Sequence, residues 1–249
     1  MIKQYGLIGK SLVHSFSPEY FRQKFADENI NDAVYTLFPL DSIHLFQHII
    51  YKHPHLMGLN VTTPYKEEIL EYADYIDEIV YKVRAANVLK IKSIENKTII
   101  SAYNTDVLGF EHTMRKLSFQ KPIFALILGT GGTAKAVAYV LTSMNISFTF
   151  VSRKSGDNTV SYNKVNSDLI SKHSLIVNCT PLGMYPMVHT FPLIPYEAIG
   201  KNHILIDLIY NPSETLFLRK GKKRGAYILN GYDMFCEQAE QSWKIWNNS

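Results

Sequence analysis

The stretch "LILGTGGTAKAV", residues 126–137, decides the fold. An apolar run typical of a buried strand leads into Gly129-x-Gly131-x-x-Ala134, and helix-forming residues follow at once. This is the glycine pattern of dinucleotide-binding sites in its required strand–turn–helix setting. Gly129 permits the tight turn, Gly131 lets the backbone approach a pyrophosphate, and the small Ala134 lets the helix pack on the strand. An ordinary glycine-rich turn is the alternative, and the two flanking elements favour the nucleotide site.

The end of the next predicted strand indicates which nucleotide binds. A site selective for NAD usually carries an acid about 20 residues beyond the glycines, where it bonds the ribose 2′-hydroxyl. Here "FTFV" is followed by Ser152, Arg153 and Lys154. A carboxylate would repel a 2′-phosphate, whereas a guanidinium offers it a planar fork of donors. The sequence therefore predicts NADP as the cofactor in preference to NAD.

Predicted strands and helices alternate on both sides of this stretch. Near the N-terminus the strands are "YGLIG" (5–9), "AVYTLFPL" (33–40) and "LMGLNVT" (56–62), with helices between them. This spacing predicts right-handed crossovers and a mainly parallel sheet. The segments that flank "KSIEN" (92–96) predict a hairpin at the sheet edge, and a second α/β series starts at Pro122. The chain is long enough for one large α/β domain or two ordinary ones.

The composition describes a globular protein and excludes several function classes. Of the 249 residues, 46% are hydrophobic and 19% are charged, and the net charge is +4. No apolar stretch approaches the ~20 residues of a membrane span, and the basic run "RKGKKRG" (219–225) is typical of a helix end. Cys179 and Cys236 match no zinc spacing. We expect a cytoplasmic protein that acts on a small molecule, without a metal ion, nucleic acid or membrane partner.

In "GLNVTTPYKEE", residues 58–68, a lysine occupies a position where local structure disfavours a cation. Thr63 is typical of a helix N-cap and Pro64 of a first helical residue, which puts Lys66 in the first turn of a helix. The unpaired N–H groups at that end carry partial positive charge, so a cation is unfavourable there. A residue that is unfavourable for the local structure often marks a functional site. The pattern therefore indicates a functional role for Lys66.

Other polar residues lie where predicted strands end or helices begin. In α/β sheets the carboxyl ends of the strands form the ligand crevice. Each residue also has an ordinary explanation, because Ser17 suits an N-cap, Asn104 and Thr105 suit the cap of the next helix, and Lys66 suits solvent. The set consists of Ser15, Ser17, Asn60, Thr62, Lys66, Asn87 and Asp106.

Taken together and in this order, the motifs resemble those of the shikimate dehydrogenase family. The resemblance spans the chain from Tyr5 to Trp246. It implies an α/β substrate domain (1–105 plus 232–249), completed by the C-terminal helix, and a Rossmann-like NADP-binding domain (106–231). It also implies a monomer or a homodimer. The matching stretches are "GLIGKSLVHSFSP", "GLNVTTPYK", "AANV", "YNTD", "LGTGGTAKA", "SRK", "NCTPLGM", "IDLIYNPSET" and "NGYDMFCEQA".

The resemblance implies a role for each matching residue. Lys66 and Asp106 would be the catalytic pair. The residues of the substrate site would be Ser15 and Ser17 at the carboxylate, Tyr210 beside them, Thr62, Asn87 and Gln238 at the ring hydroxyls, and Asn60. The residues of the cofactor site would be Gly129, Thr130, Gly131, Gly132 and Thr133 at the pyrophosphate, Ser152, Arg153 and Lys154 at the 2′-phosphate, and Leu208, Gly231 and Met234 towards the nicotinamide.

Two positions depart from the family pattern. Ser152-Arg153-Lys154 stands where the family usually has Asn-Arg-Thr, and the arginine needed for NADP is kept. Val88 stands where the family usually has threonine, which we expect to reshape one hydroxyl contact beside Asn87.

The implied reaction is the reversible, NADPH-dependent reduction of 3-dehydroshikimate to shikimate in the shikimate pathway, which leads to chorismate and the aromatic amino acids. Lys66 would stabilise the charge that develops on the carbonyl oxygen and donate the proton. We expect the positive helix end to disfavour the lysine's charged form, with Asp106 opposing that effect.

Three alternatives stay open. They are a quinate/shikimate dehydrogenase with relaxed cofactor choice, a non-catalytic regulator that binds NADP or shikimate, and a relative of methylene-tetrahydrofolate dehydrogenase. The last would not require the "HSFSP" carboxylate site (14–18).

Overall fold

The computed structural model describes residues 2–95, 97–118 and 123–248. The chain divides into two compact units, one formed by Met1–Leu108 with Gln238–Ser249 and the other by Gly109–Glu237. Each unit contains its own six-stranded sheet. The predicted α/β class is confirmed, and the predicted start of the second series at Pro122 lies outside the described residues.

The α-helices in the described part of the chain range from 6 to 16 residues in length. They are α1 (Ser17–Asp27), α2 (Phe46–Lys52), α3 (Glu78–Val83), α4 (Asp106–Arg115), α5 (Gly132–Ser143), α6 (Ser167–Lys172), α7 (Leu216–Lys223) and α8 (Tyr232–Asn247). Helices α4 and α8 each contribute residues to both units. None of the helices in the described ranges combines the length and apolar character that a membrane crossing requires.

The sheet of the first unit is mixed. Its strands are β1 (Lys3–Gly9), β2 (Ala33–Pro39), β3 (Leu56–Val61), β4 (Tyr75–Ile76), β5 (Val88–Ile94) and β6 (Lys97–Tyr103). They lie in the order β2-β1-β3-β5-β6-β4. The β1–β2, β1–β3 and β4–β6 pairs are parallel, as the helical crossovers predict, whereas β3–β5 and β5–β6 are antiparallel. The predicted hairpin is present, but the short strand β4, and not β6, forms that edge of the sheet.

The C-terminal helix α8 completes this unit, as predicted. Trp246 packs directly over Gly58 of β3, where a Cβ atom would lie only 2.2 Å from the indole ring, so only glycine leaves room. The indole N–H donates to the carbonyl of Leu89 at 2.9 Å, and the ring of Tyr5 stacks on it with centroids 4.9 Å apart. Burial of a large aromatic ring with its polar atom bonded stabilises the unit by several kcal/mol, on the order of 3–5 for its removal.

The segment after β3 corrects one prediction. No helix begins at Thr63; residues 63–67 form turns, followed by a 3₁₀ helix at Glu68–Tyr72, strand β4 and helix α3. The amide of Tyr65 bonds the carbonyl of Thr62 at 3.0 Å, and the carbonyl of Lys66 accepts from the distant Ala86 amide at 2.7 Å. This bond occupies the Lys66 carbonyl, which in an α-helix would accept from the amide four residues later. The expectation that a helix end disfavours the charged form of Lys66 is therefore wrong.

The sheet of the second unit is entirely parallel. Its strands are β7 (Phe124–Leu128), β8 (Ser147–Ser152), β9 (Thr159–Ser161), β10 (Leu175–Asn178), β11 (Ile204–Asp207) and β12 (Tyr227–Leu229). They lie in the order β12-β11-β10-β7-β8-β9, which is the Rossmann-like arrangement that the glycine stretch predicts. Strand β10 is buried along its whole length because helices and loops cover both faces of such a sheet.

Candidate active site

The glycine turn lies between β7 and α5, as predicted. Gly129 adopts a φ of +109°, a conformation that L-residues rarely adopt, and its amide donates to the carbonyl of Val151 at 2.8 Å. A Cβ atom placed on Gly131 would meet nothing within 4 Å, so the space beside this residue is open. Ala134 is fully buried against the sheet. The turn thus offers the close backbone approach and the helix N-terminus that bind a pyrophosphate.

The end of β8 lies beside this turn. Strands β7 and β8 are parallel neighbours with Leu128 opposite Val151, so Ser152 follows at the level of the glycines. Ser152 is half-buried, and Arg153 and Lys154 are exposed. The residues that directly follow the strand are therefore cationic and accessible, which suits a bound 2′-phosphate.

Lys66 and Asp106 form an ion pair in the first unit. Lys66 comes from the turn after β3, and Asp106 is the first residue of α4, directly after β6. The lysine Nζ lies 2.5 Å from Asp106 Oδ2, and the two side chains are only 12% and 7% exposed. Asn104 helps to place the carboxylate, because its Oδ1 accepts from the Val107 amide at 3.3 Å and so caps α4. The structure brings the predicted pair together.

Asn87 holds the second oxygen of this carboxylate. Its Oδ1 accepts from the backbone N–H of Thr105 at 2.7 Å, and this bond turns the amide nitrogen towards the ion pair. The nitrogen lies 2.9 Å from Asp106 Oδ1 and 3.2 Å from Gln238 Oε1. Asp106 is thus bonded on both oxygens, so the acceptors of this buried carboxylate are satisfied.

The two predicted serines lie at the start of α1, where Ser15 precedes the helix and Ser17 is its first residue. The Ser15 hydroxyl accepts from the amide of Ser17 at 3.2 Å, and the two hydroxyl oxygens are 3.3 Å apart. Phe16, and not Ser17, occupies the N-cap position, so the ordinary explanation of Ser17 as a helix cap is wrong. Thr62 is half-buried at the end of β3. Tyr210 belongs to the second unit, where its ring centroid lies 4.6 Å from that of Phe235.

Asn60 bonds protein groups through both the nitrogen and the oxygen of its side-chain amide. Its Nδ2 donates to Ser242 Oγ at 2.9 Å and to the carbonyl of Asn87 at 3.4 Å. Its Oδ1 accepts from the Tyr35 hydroxyl at 2.8 Å. Both amide hydrogens are therefore committed within the first unit. Sequence reasoning missed Tyr35 and Ser242, because each is an ordinary residue within an otherwise amphipathic strand or helix.

The remaining cofactor candidates follow β11 and β12. The amide of Leu208 donates to the carbonyl of Asn178 at 3.1 Å, and that of Gly231 donates to the carbonyl of Ile209 at 3.1 Å. A Cβ atom on Gly231 would lie 2.2 Å from the Leu208 carbonyl oxygen, so glycine alone permits this approach. Met234 is buried one turn into α8. Leu208 and Gly231 are thus held against each other in the second unit.

Known proteins share both the sequence and the fold of this chain. The model of the shikimate dehydrogenase substrate binding domain matches residues 7–89. Shikimate dehydrogenases (NADP(+)) from Caldicellulosiruptor saccharolyticus and Methanococcus maripaludis are 34% and 36% identical to this chain, across 98% of it and 92% and 91% of their own lengths. The chain belongs to the shikimate dehydrogenase family. The crystal structure of shikimate dehydrogenase 1 from Peptoclostridium difficile matches 98% of the chain with a TM-score of 0.85, at 34% identity and 91% coverage of that chain.

The departure at Val88 lies in the core of the first unit. The valine is fully buried in the aromatic cluster that includes Phe21 and Trp246. Its side chain therefore packs against α8, on the side of the strand away from Asn87, since successive residues of a strand point to opposite faces. The expectation that Val88 reshapes a hydroxyl contact beside Asn87 stays a prediction.

A buried carboxylate in the second unit was missed by sequence reasoning. Asp207 Oδ1 accepts from Asn178 Nδ2 at 3.0 Å and from the Ile209 amide at 3.1 Å, and Oδ2 accepts from the Thr215 hydroxyl at 2.5 Å. Burial raises its pKa from 3.8 to about 7, although these hydrogen bonds act in the opposite direction. The group ties the ends of β10 and β11 to the start of α7. The only sequence signal is an acid at the end of the apolar run "HILID".

This carboxylate predicts a pH effect on stability. Because folding raises the pKa of Asp207, the protonated carboxyl group stabilises the folded state. This stabilisation is fully present below about pH 4 and is lost as the pH rises to about 7. We expect the free energy of unfolding of the wild type to fall between pH 5 and pH 8 relative to that of Asp207→Asn. Urea titrations across this range measure the difference, with the exposed Asp157→Asn as the control. A difference that stays constant with pH would contradict the prediction.

The described residues form no evident metal centre. Among them, no three His, Cys, Asp or Glu side chains are placed to share an ion.

Proposed function

We propose that the protein catalyses the reversible reduction of 3-dehydroshikimate to shikimate with NADPH, as an NADP-dependent shikimate dehydrogenase. The observation that carries the proposal is the Lys66–Asp106 ion pair, braced by Asn87, in a chain with near full-length similarity to enzymes of that name. We assign 1–105 with 232–249 as the substrate domain and 106–231 as the NADP-binding domain.

The nucleotide residues of this chain fit NADP. The open space beside Gly131 admits a pyrophosphate to the backbone, with Thr130, Gly132 and Thr133 completing the turn. Exposed Arg153, between Ser152 and Lys154, supplies a guanidinium for the 2′-phosphate. We assign Leu208, Gly231 and Met234 to the nicotinamide side. When bound, NADPH supplies the hydride to the ketone carbon.

Lys66 acts on the oxygen of the reacting carbonyl. Its ammonium stabilises the negative charge that develops there and donates the proton that completes the alcohol. In the reverse direction, the neutral amine removes the hydroxyl proton of shikimate. Asp106 keeps the ammonium in place at 2.5 Å, and Asn87 prevents the carboxylate from turning away.

The other polar residues of the first unit hold the substrate. The adjacent hydroxyls of Ser15 and Ser17 suit its carboxylate, because two donors at the start of α1 favour an anion. Thr62 and Gln238 are assigned to ring hydroxyls together with Asn87. Tyr210 is assigned to the carboxylate, and Asn60 to the substrate site through its bonds to Asn87 and Ser242.

The decisive assay follows NADPH absorbance during oxidation of shikimate. We expect turnover with shikimate and NADP to exceed that with quinate, which carries an extra ring hydroxyl, and with NAD in place of NADP. Comparable efficiency on quinate would favour a quinate/shikimate dehydrogenase. Tight binding without an absorbance change would favour a regulator, and the absence of turnover with shikimate under either cofactor would refute the proposal.

We also propose that the protein works in the cytoplasm as a monomer or a homodimer. Cys179 and Cys236 are not joined by a disulfide, which suits a reducing compartment. Light scattering of the purified protein gives its mass, and a larger assembly would contradict the second statement.

A further inference from the structure

Ser242 lies fully buried on α8, one turn beyond Gln238, and its hydroxyl bonds three groups. The hydroxyl donates to the carbonyl of Gln238 at 2.7 Å. It accepts from Asn60 Nδ2 at 2.9 Å and lies 3.3 Å from the hydroxyl oxygen of Thr105. A serine hydroxyl has one hydrogen to donate and two lone pairs to accept with. All of its hydrogen-bonding capacity is therefore used.

Because Ser242 has no second hydrogen to donate, the direction of its hydrogen bond with Thr105 is determined. Since the single hydrogen of Ser242 goes to the Gln238 carbonyl, Thr105 must be the donor in the bond between the two hydroxyls. The Thr105 oxygen then turns its lone pairs to Asn87, whose Nδ2 lies 3.0 Å away. Asn87 Oδ1 is left to the backbone amide of Thr105 at 2.7 Å. The Asn87 amide is thus oriented by the Thr105 backbone, and Ser242 supports that orientation by holding the Thr105 hydroxyl as an acceptor for Nδ2.

We propose that Ser242 is a positioning residue of the substrate site, acting with Asn60 to hold Gln238 and Asn87 in place. The inference rests on the proposed function, because Gln238 and Asn87 are assigned there to ring hydroxyls. It gives Asn60 a role through Ser242, to which its Nδ2 donates at 2.9 Å. The Tyr35 hydroxyl anchors the other side of Asn60 at 2.8 Å.

Ser242→Ala tests the proposal. The change leaves Asn60 and Thr105 without their shared partner in a fully buried position, so the Thr105 hydroxyl turns to Asn87 Oδ1, which lies 3.3 Å away. A net hydrogen bond contributes about 1 kcal/mol, so we expect the KM for shikimate to rise roughly 5- to 10-fold. The KM for NADP should stay within about twofold, because the bonds of Ser242 described above all lie in the first unit. Steady-state kinetics with each substrate varied in turn measures both.

The control is Ser171→Ala on α6, which removes a hydroxyl-to-carbonyl bond of the same kind at 2.9 Å from an exposed position. It should change neither KM. The proposal would be overturned by an unchanged KM for shikimate in Ser242→Ala or by an equal rise in both KM values. A loss of kcat alone would also overturn it, because loss of folded enzyme lowers kcat without shifting the KM values.

A second variant covers the case in which Ser242→Ala does not fold. Tyr35→Phe removes only the hydroxyl that anchors Asn60, and it should raise the KM for shikimate in the same direction by a smaller factor. A normal KM in that variant would overturn the proposal. The activity of the wild type distinguishes a failure of the proposed function from a failure of the role of Ser242. A wild type that does not oxidise shikimate refutes the proposed function. An active wild type with variants of the same KM refutes the role of Ser242 alone.

Discussion

Lys66→Ala is expected to lower kcat for shikimate oxidation by about 10²- to 10⁴-fold, the usual contribution of a positioned acid or base. The ammonium lies 2.5 Å from Asp106 and is 12% exposed, so water cannot readily replace it as the proton carrier. The KM for shikimate should change little, because the carboxylate and hydroxyl contacts are assigned to other residues. Steady-state kinetics at saturating NADP measures both parameters.

The matched control is Lys82→Ala, which removes a lysine of the same unit that is paired with Glu78 at 2.6 Å but half exposed. Its turnover should equal that of the wild type. Thermal unfolding and NADP binding of Lys66→Ala establish that the variant is folded, since Asp106 loses its cation. Normal turnover with lost affinity for shikimate would contradict the catalytic assignment.

Arg153→Ala is expected to weaken NADP binding by roughly 10- to 100-fold, because hydrogen bonds to charged groups contribute about 1.5–3 kcal/mol. NAD lacks the 2′-phosphate, so its binding should change by less than about threefold. The exposed position of Arg153 directly after β8, beside the glycine turn, is the basis of this difference. Fluorescence titration with each nucleotide gives the two dissociation constants.

Arg219→Ala serves as the control for Arg153. Arg219 is an exposed arginine of the same unit, placed on α7 and paired with Glu214 at 3.4 Å. Its loss should leave both dissociation constants unchanged. An equal loss of NADP and NAD binding in Arg153→Ala would remove the argument for 2′-phosphate recognition at the end of β8.

Local patterns predicted the parts of the molecule that depend on neighbours in sequence. The strand–glycine–helix unit at 126–137 lies where expected, because the turn, the buried strand and the packing of Ala134 are all encoded within a dozen residues. The short strands β4, β9 and β12 were missed, since two or three residues carry no detectable alternation.

The structural features that local sequence patterns did not predict depend on long-range contacts. The residues around Lys66 have a helical signature, yet the bond between its carbonyl and the Ala86 amide keeps them in turns. Ser242 contacts Asn60 across 182 positions in the chain, and Asp207 contacts Asn178 across 29. Nothing local distinguishes these residues from any other serine or aspartate. The catalytic pair was predicted through family resemblance, and its bracing by Asn87 came from the coordinates.

The placement of Trp246 over Gly58 has a consequence for biosynthesis. The core of the first unit therefore stays incomplete until Trp246, which lies far along the chain from Gly58, has been synthesised. The second unit, Gly109–Glu237, is continuous in sequence, so all of its residues are synthesised before Trp246. The unit whose synthesis begins first is therefore the last to have all of its residues, and its N-terminal segment waits for the end of α8.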